Sequence, residues 1–372
     1  MGVGGTVVVT QARRRWALVA AVVVLLCSVP VVIGAWPARA ADGDLALLRE
    51  RIAASAAQSY QGFAQSAGLL PLPPLPNLER VTALVSGTTQ MRVWYAARDR
   101  WRVDVISNGT ERDLYQTPQA QYIWDYGDNQ LSQILGDQPV RLPQPADLTP
   151  PELVRRLLHV AEGDRFERLA GKRVAGVSAA GLRLVPAAAG TTIDHIDVWA
   201  DPGTGLPVQA EVTAKGGERP VFVTRFLELD LTTPSTGVLT PPPDHPGIGF
   251  SVTTAPDILS AINRRRPARL PARLGGQPRR DTVPGLFAAG VYGTGLAQFV
   301  VVALPGGFGS QAYDRVATFG TEVDVPTGDA ALISTGLLTL LAVRADRTYL
   351  VAGFVQPALL TGVAIDLSGV VE

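Results

Sequence analysis

The chain has almost no sulfur and little imidazole: one cysteine, two methionines and three histidines in 372 residues. Its only cysteine, Cys27, lies inside an apolar N-terminal run, so the remainder has no disulfide, no thiolate nucleophile and no cysteine metal site. An excess of either charge is also missing. Thirty-three basic residues balance 33 acidic ones, and Lys/Arg interleaved with stacking aromatics is absent, which argues against nucleic acid as a partner. Convergent catalytic groups are scarce as well. His159, His195 and His245 are the only imidazoles, and Asp194, His195 and Asp197 form a polar strand face without a third ligand, so neither a metal site nor a triad is expected. Gly293-Thr294-Gly295 and Gly306-Gly307 lack the strand-loop-helix setting of a phosphate loop and read as turns. The sequence therefore predicts a protein that is not an enzyme and needs no cofactor.

What is present begins with a targeting signal. Arg13, Arg14 and Arg15 precede an apolar run from Trp16 to Trp36, long enough to cross about 30 Å of hydrocarbon as a helix. Ala38-Arg39-Ala40 then forms a cleavage-like site. A retained signal anchor and a cleaved signal peptide both fit, and the positive-inside rule places the rest of the chain outside the cytoplasm in either case. Leu26 stands where a lipidation motif at Cys27 has a small residue.

The apolar fraction of 47% excludes a disordered chain, and Gly 38 with Pro 29 indicates many turns between short strands. The length predicts two domains after the targeting segment. Leu45, Leu48, Ile52, Ala56 and Phe63 predict an amphipathic helix over Asp44 to Ser66. Pro71, Pro73, Pro74 and Pro76 make an extended connector. Strands follow at Gln90 to Tyr95, Arg100 to Ile106 and Gln121 to Tyr126. Thr149-Pro150-Pro151-Glu152 is a capping-box pattern that opens a short helix to Ala161. Further strands are expected at Gly181 to Val185, Ile193 to Ala200, Leu206 to Val212 and Val221 to Leu229. A second proline cluster, Pro241 to Pro246, leads to a helix candidate at Ala255 to Asn263. Seven arginines without an acidic residue come next: Arg264, Arg265, Arg266, Arg269, Arg273, Arg279 and Arg280. They read as a solvated loop, or as a strip that meets a partner or anionic headgroups. Strands at Leu296 to Leu304, Leu332 to Val343 and Arg347 to Phe354 and a closing helix at Pro357 to Leu367 complete a small α+β domain. The expected boundaries are 1–41 for the targeting segment, 42–240 for the first domain, 241–285 for a Pro/Arg-rich linker and 286–372 for the second domain.

Three ordered patches resemble the LolA/LolB lipoprotein-carrier superfamily: Arg98 to Asp104, Tyr122 to Tyr126, and the hairpin Val198 to Pro207, VWADPGTGLP. Two more, Val291 to Leu304 and Tyr349 to Asp366, are similar to the second domain of the RseB/MucB family of sigma-E regulatory proteins, with Thr294 where that family has an Asp. The resemblance implies an α+β chain whose first domain is an incomplete antiparallel β-barrel with covering helices. It implies an apolar cavity for an acyl lipid or lipoprotein, and a membrane protein such as an anti-sigma factor as partner. Candidate lining residues are Met91, Val93, Tyr95, Trp101, Val103, Val105, Tyr122 and Trp124, which fit a packed core equally well. The expected role is sensing or regulating envelope state from an extracytoplasmic, membrane-tethered position. Lipid carriage without signalling and a structural envelope protein with a filled core stand as alternatives.

Overall fold

The structure is a computed structural model, and it describes residues 44–73, 78–107, 109–136, 141–161, 163–243, 247–253, 270–280 and 288–370. The targeting run, the helix candidate at Ala255 to Asn263, and Arg264, Arg265, Arg266 and Arg269 lie outside them. No helix of the described residues is long and apolar enough to cross a membrane.

The first half runs α1 (Leu45–Ala54), β1 (Tyr60–Gly68), α2 (Glu79–Ser86), β2 (Thr88–Ala97), β3 (Arg100–Ser107), β4 (Thr110–Gln116), β5 (Ala120–Asp125), β6 (Gln130–Leu135), α3 (Pro150–Val160), β7 (Arg165–Val174), β8 (Val177–Val185), β9 (Ile193–Ala200), β10 (Pro207–Ala214) and β11 (Phe222–Asp230). The rest runs β12 (Gly249–Thr253), β13 (Arg273–Leu274), β14 (Gln277–Pro278), β15 (Ala289–Tyr292), β16 (Phe299–Leu304), α4 (Gly306–Phe319), β17 (Thr321–Val323), β18 (Asp329–Ser334), β19 (Thr339–Arg344), β20 (Thr348–Gly353) and α5 (Pro357–Ser368). β1 to β12 form one sheet in the order β12-β6-β5-β4-β3-β2-β1-β11-β10-β9-β8-β7. It does not close on itself, and every pairing is antiparallel except β12 with β6. Residues 249–253, expected within a linker, thus extend the first sheet.

Alternation assigns each strand an inner and an outer face. Met91, Val93 and Tyr95 lie opposite Val105, Val103 and Trp101, and Tyr60 and Ala64 lie opposite Tyr95 and Met91. Together they build the inner face, while α3 packs against β10 and β11 of the same sheet with α1 beside it. The helix expected over Asp44 to Ser66 is shorter than its periodicity suggested. It ends at Ala54, and alternate burial of Ala64, Ser66 and Gly68 makes the rest a strand. Gly62 fits that strand because a Cβ there would stand 2.2 Å from Glu228 O on β11. The capping box is also not made. Thr149 Oγ1 donates to Ala146 O, Glu152 is held by arginines, and the helix starts instead on Pro150 and Pro151, whose fixed φ suits its first turn.

The second sheet is ordered β15-β16-β20-β19-β18-β17. The apolar stretch Leu332 to Val343, expected as one strand, is two strands turned at Gly336, whose φ of +86° favours glycine. Thr339 to Val343 are buried at every position, so both faces of β19 are covered, with α4 and α5 packed against it. The two cores also meet directly. Thr191 Oγ1 lies 2.8 Å from Phe354 O, Thr192 Oγ1 donates to Leu337 O, and Gln356 N donates to Gly190 O at 2.8 Å.

Candidate functional site: an apolar cavity with an arginine rim

A cavity of about 1020 Å³ lies between the inner face of β1 to β3 and the layer formed by α3 and the loop before it. Its floor is Tyr60, Val93, Tyr95, Trp101 and Val103. Tyr60 stacks on Tyr95 with ring centroids 5.0 Å apart and meets Phe226 edge-on. Burial pushes both phenols above their ordinary range, so they stay neutral, and Tyr95 donates to Ala56 O at 2.8 Å. The floor therefore offers hydrocarbon and aromatic surface without a charge.

The rim has the opposite character. Arg98, Arg141, Arg155 and Arg156 face only two carboxylates, Asp147 and Glu152, and His159 adds a titratable group. Arg141 grips Asp147 through two bonds of 2.6 and 2.7 Å. Arg156 reaches from α3 to the same carboxylate at 2.8 Å, tying the loop to the helix. Glu152 accepts from Arg155 at 2.9 Å and Arg156 at 2.8 Å. Burial alone would raise the Glu152 carboxyl, but the hydrogen bond from Arg156 and the charge of Arg155 overcome it and hold the group below its ordinary value. Arg155 also lies over the Tyr95 ring at 5.8 Å. Arg98 is exposed and has no carboxylate partner among the described residues. The rim thus carries an excess of positive charge where the apolar floor meets solvent.

The eight residues expected to line a cavity divide into three groups. Val93, Tyr95, Trp101 and Val103 line it. Met91, fully buried, and Val105, half-buried, share that face but pack into the core. Tyr122 and Trp124 are on the outer face: Leu114, opposite Val103, pairs with Ile123, so Tyr122 and Trp124 point away. Trp124 forms a separate cluster there with Tyr115 and Leu131, against which Tyr122 and Ile248 pack. No sequence pattern marks the Arg141–Asp147 latch, whose carboxylate lies in a short 3-10 turn, Pro145–Leu148, just before α3.

Of the arginine strip, three residues are described. Arg273 is exposed and donates to Gly276 O. The Arg280 side chain is exposed too, while its backbone N–H donates to Val291 O. Arg279 departs from the expectation of a free contact residue: its guanidinium donates to Leu270 O and Ala289 O, fixing the β13–β14 hairpin to β15. His195 has Asp194 at 2.7 Å, while Asp197 is taken by two bonds from Arg183, each 2.7 Å.

The described residues thus join an open β-sheet, a helix-covered apolar cavity and a basic rim. No protein-family model matches the chain, and no curated protein matches it either. Among solved structures it is similar to the MucA/MucB complex of Pseudomonas aeruginosa, at 18% identity over 86% of this chain and 96% of that one, TM-score 0.48. It is also similar to a LolA superfamily protein from Nitrosomonas europaea, at 12% identity over 52% of this chain and 96% of that one, TM-score 0.23. A putative outer membrane lipoprotein-sorting protein domain from Vibrio parahaemolyticus is similar at 15% identity, 52% and 95% coverage and TM-score 0.23. LolA and MucB are also the names that the sequence patches resemble.

Proposed function

We propose that the chain binds one acyl-bearing lipid or lipoprotein outside the cytoplasmic membrane, with its hydrocarbon on the Tyr60–Trp101 floor and a polar, preferentially acidic head at the arginine rim. The observation that carries this reading is the joining of an uncharged aromatic floor to a rim of four arginines and two carboxylates in one cavity. Its volume of about 1020 Å³ stands at the upper end of the ~300–1,000 Å³ of ordinary small-molecule sites. Each buried CH₂ stabilises by about 0.8 kcal/mol, so a long chain needs no charged anchor for affinity, and the rim supplies selectivity. The ligand enters by parting α3 from the sheet, while the ion pairs at Asp147 and Glu152 keep α3 and the loop before it together as one layer. Membrane tethering through the Trp16 to Trp36 run and a role in sensing envelope state belong to the proposal. So does a membrane protein partner, on the strength of the sequence resemblance to the RseB/MucB family.

The test is displacement of a fluorescent fatty acid from the full chain. Wild-type protein binds the probe at one site, and Val103→Glu abolishes binding while leaving the circular dichroism spectrum unchanged. Equal binding by both proteins would contradict the assignment of the cavity. Co-purification with a membrane anti-sigma factor of the same host tests the partner separately; its failure would leave the lipid clause standing.

A further inference from the structure

The outer face of β3 and β4 carries a second polar centre that the cavity does not use. Asp104 and Asp113 lie opposite each other on the paired strands, each no more than 1% exposed. Carboxylate oxygens of Asp104, Glu111 and Asp113 lie within 4.8 Å of one another. A single guanidinium serves the two buried ones: Arg102 binds Asp104 through bonds of 2.6 and 2.7 Å and Asp113 Oδ2 at 2.9 Å. The same guanidinium lies between the rings of Trp94 and Tyr115 and donates to Val238 O at 3.4 Å. Val238 belongs to the segment 231–243, which leaves β11 and crosses this face with Leu239 buried.

We propose that Asp104, Asp113 and Arg102 form a proton-operated clasp, which holds the segment 231–243 on the outer face while the two carboxylates share one proton and loosens it when that proton leaves.

The charge count requires a proton. Two buried carboxylates against one guanidinium leave an unpaired negative charge in a water-poor site. Asp113 Oδ1 is also buried without a donor, and a proton between it and Asp104 supplies one. No other charge on the facing elements compensates, and the Tyr115 hydroxyl only donates to Asp113 Oδ2 at 3.3 Å. Glu111 on β4 is a third acid, Tyr115 on β4 and Tyr126 after β5 are neutral phenols, and Arg92 on β2, opposite Asp104, is exposed. The covering segment, Leu231 to Pro243, contains no titratable residue. Burial, and then the neighbouring Asp104, push Asp113 up to about 7. A carboxyl raised in the folded state favours the closed arrangement while protonated, so the stabilisation is full below the ordinary carboxylate range, weakens as pH rises and is gone above about 7. When the proton leaves, Arg102 is drawn wholly to the carboxylates and the bond to Val238 O is the weakest to give up. The segment joins β11 to β12, both strands of the first sheet, so its release frees the link between them. This device is independent of any ligand in the cavity.

The experiment is fluorescence anisotropy of the full chain carrying Cys27→Ser and Ser235→Cys with a dye at position 235, titrated from pH 5.5 to 8.5. Anisotropy should fall through a one-proton transition with a midpoint near 7, and Asp113→Asn, which keeps the neutral side chain, should remove the transition and leave the high value throughout. An identical transition in Asp113→Asn, or none in the parent, would overturn the clasp. The side-chain carboxyl ¹³C shift of Asp113 in wild-type protein checks this without a variant: a midpoint below 5 overturns the proposal. A transition abolished at every pH by millimolar Ca²⁺ also overturns it, assigning the cluster to a cation.

Discussion

The two sheets of this protein handle their apolar faces in opposite ways. In the six-stranded sheet, β19 is buried at all positions from Thr339 to Val343, and Leu341, Ala342 and Val343 have no exposed surface. In the twelve-stranded sheet, β3 turns Trp101 and Val103 toward a layer that does not meet them, and a cavity remains. In β3, Trp101, Val103 and Val105 alternate with Arg102 and Asp104, whereas Leu340 to Val343 of β19 is an unbroken apolar run, yet each strand offers apolar side chains to its covering layer. Whether those side chains meet a filled layer depends on what faces them. α4 and α5 put Val316, Leu360 and Val363 against the small sheet, whereas the layer over β2 and β3 is built from arginines and carboxylates whose long polar side chains cannot fill an apolar space. A cavity is thus specified by the covering layer more than by the strand beneath it.

That contrast can be broken experimentally. The largest effect is expected from Leu341→Ala, which removes a buried side chain in a filled core and should lower unfolding free energy by about 2–5 kcal/mol, read by urea denaturation, with acyl binding by the folded fraction unchanged. Trp101→Ala should do the reverse: a roughly tenfold loss of acyl-ligand affinity, about 1.4 kcal/mol, by fluorescence titration, with a smaller loss of stability than Leu341→Ala. Tyr122→Ala on the opposite face of the same sheet should leave affinity unchanged, which separates cavity from fold. Thr192→Val, at the junction of the two cores, should cost about 1 kcal/mol and lower the thermal midpoint without altering affinity. The smallest effect is expected at Arg98→Gln, a loss of roughly twofold to fivefold for an acidic acyl ligand and none for a neutral monoacylglycerol.

Strand alternation was readable wherever one face dominates. Met91, Val93, Tyr95, Trp101 and Val103 fall on one face as their spacing predicts. Tyr122 and Trp124 show the limit of that reasoning. Both faces of the sheet are covered there, the outer one by Ile248 and its neighbours, so hydrophobicity alone cannot choose a side and the register through β4 decides. The helix α4 escaped because Gly306-Gly307 reads as a turn, although Gly309, Ala312, Tyr313 and Val316 carry helical spacing. Gly309 is needed there, since a Cβ would stand 2.6 Å from Thr348. The rim was the least legible part. Arg98, Arg141, Asp147 and Arg155 come from a turn, a loop and a helix, and only the fold brings them together. The hairpin Val198 to Pro207 was the most legible, because Asp201 accepts from Gly203 N, Thr204 N and Thr204 Oγ1, a closed local pattern.

The most direct test of the central claim is native mass spectrometry of the full chain purified from its own host's envelope, followed by lipid extraction. A stoichiometric acyl-bearing adduct, lost in Val103→Glu, is the predicted result. A clean apo mass that stays unchanged after incubation with acidic and neutral acyl ligands would contradict it.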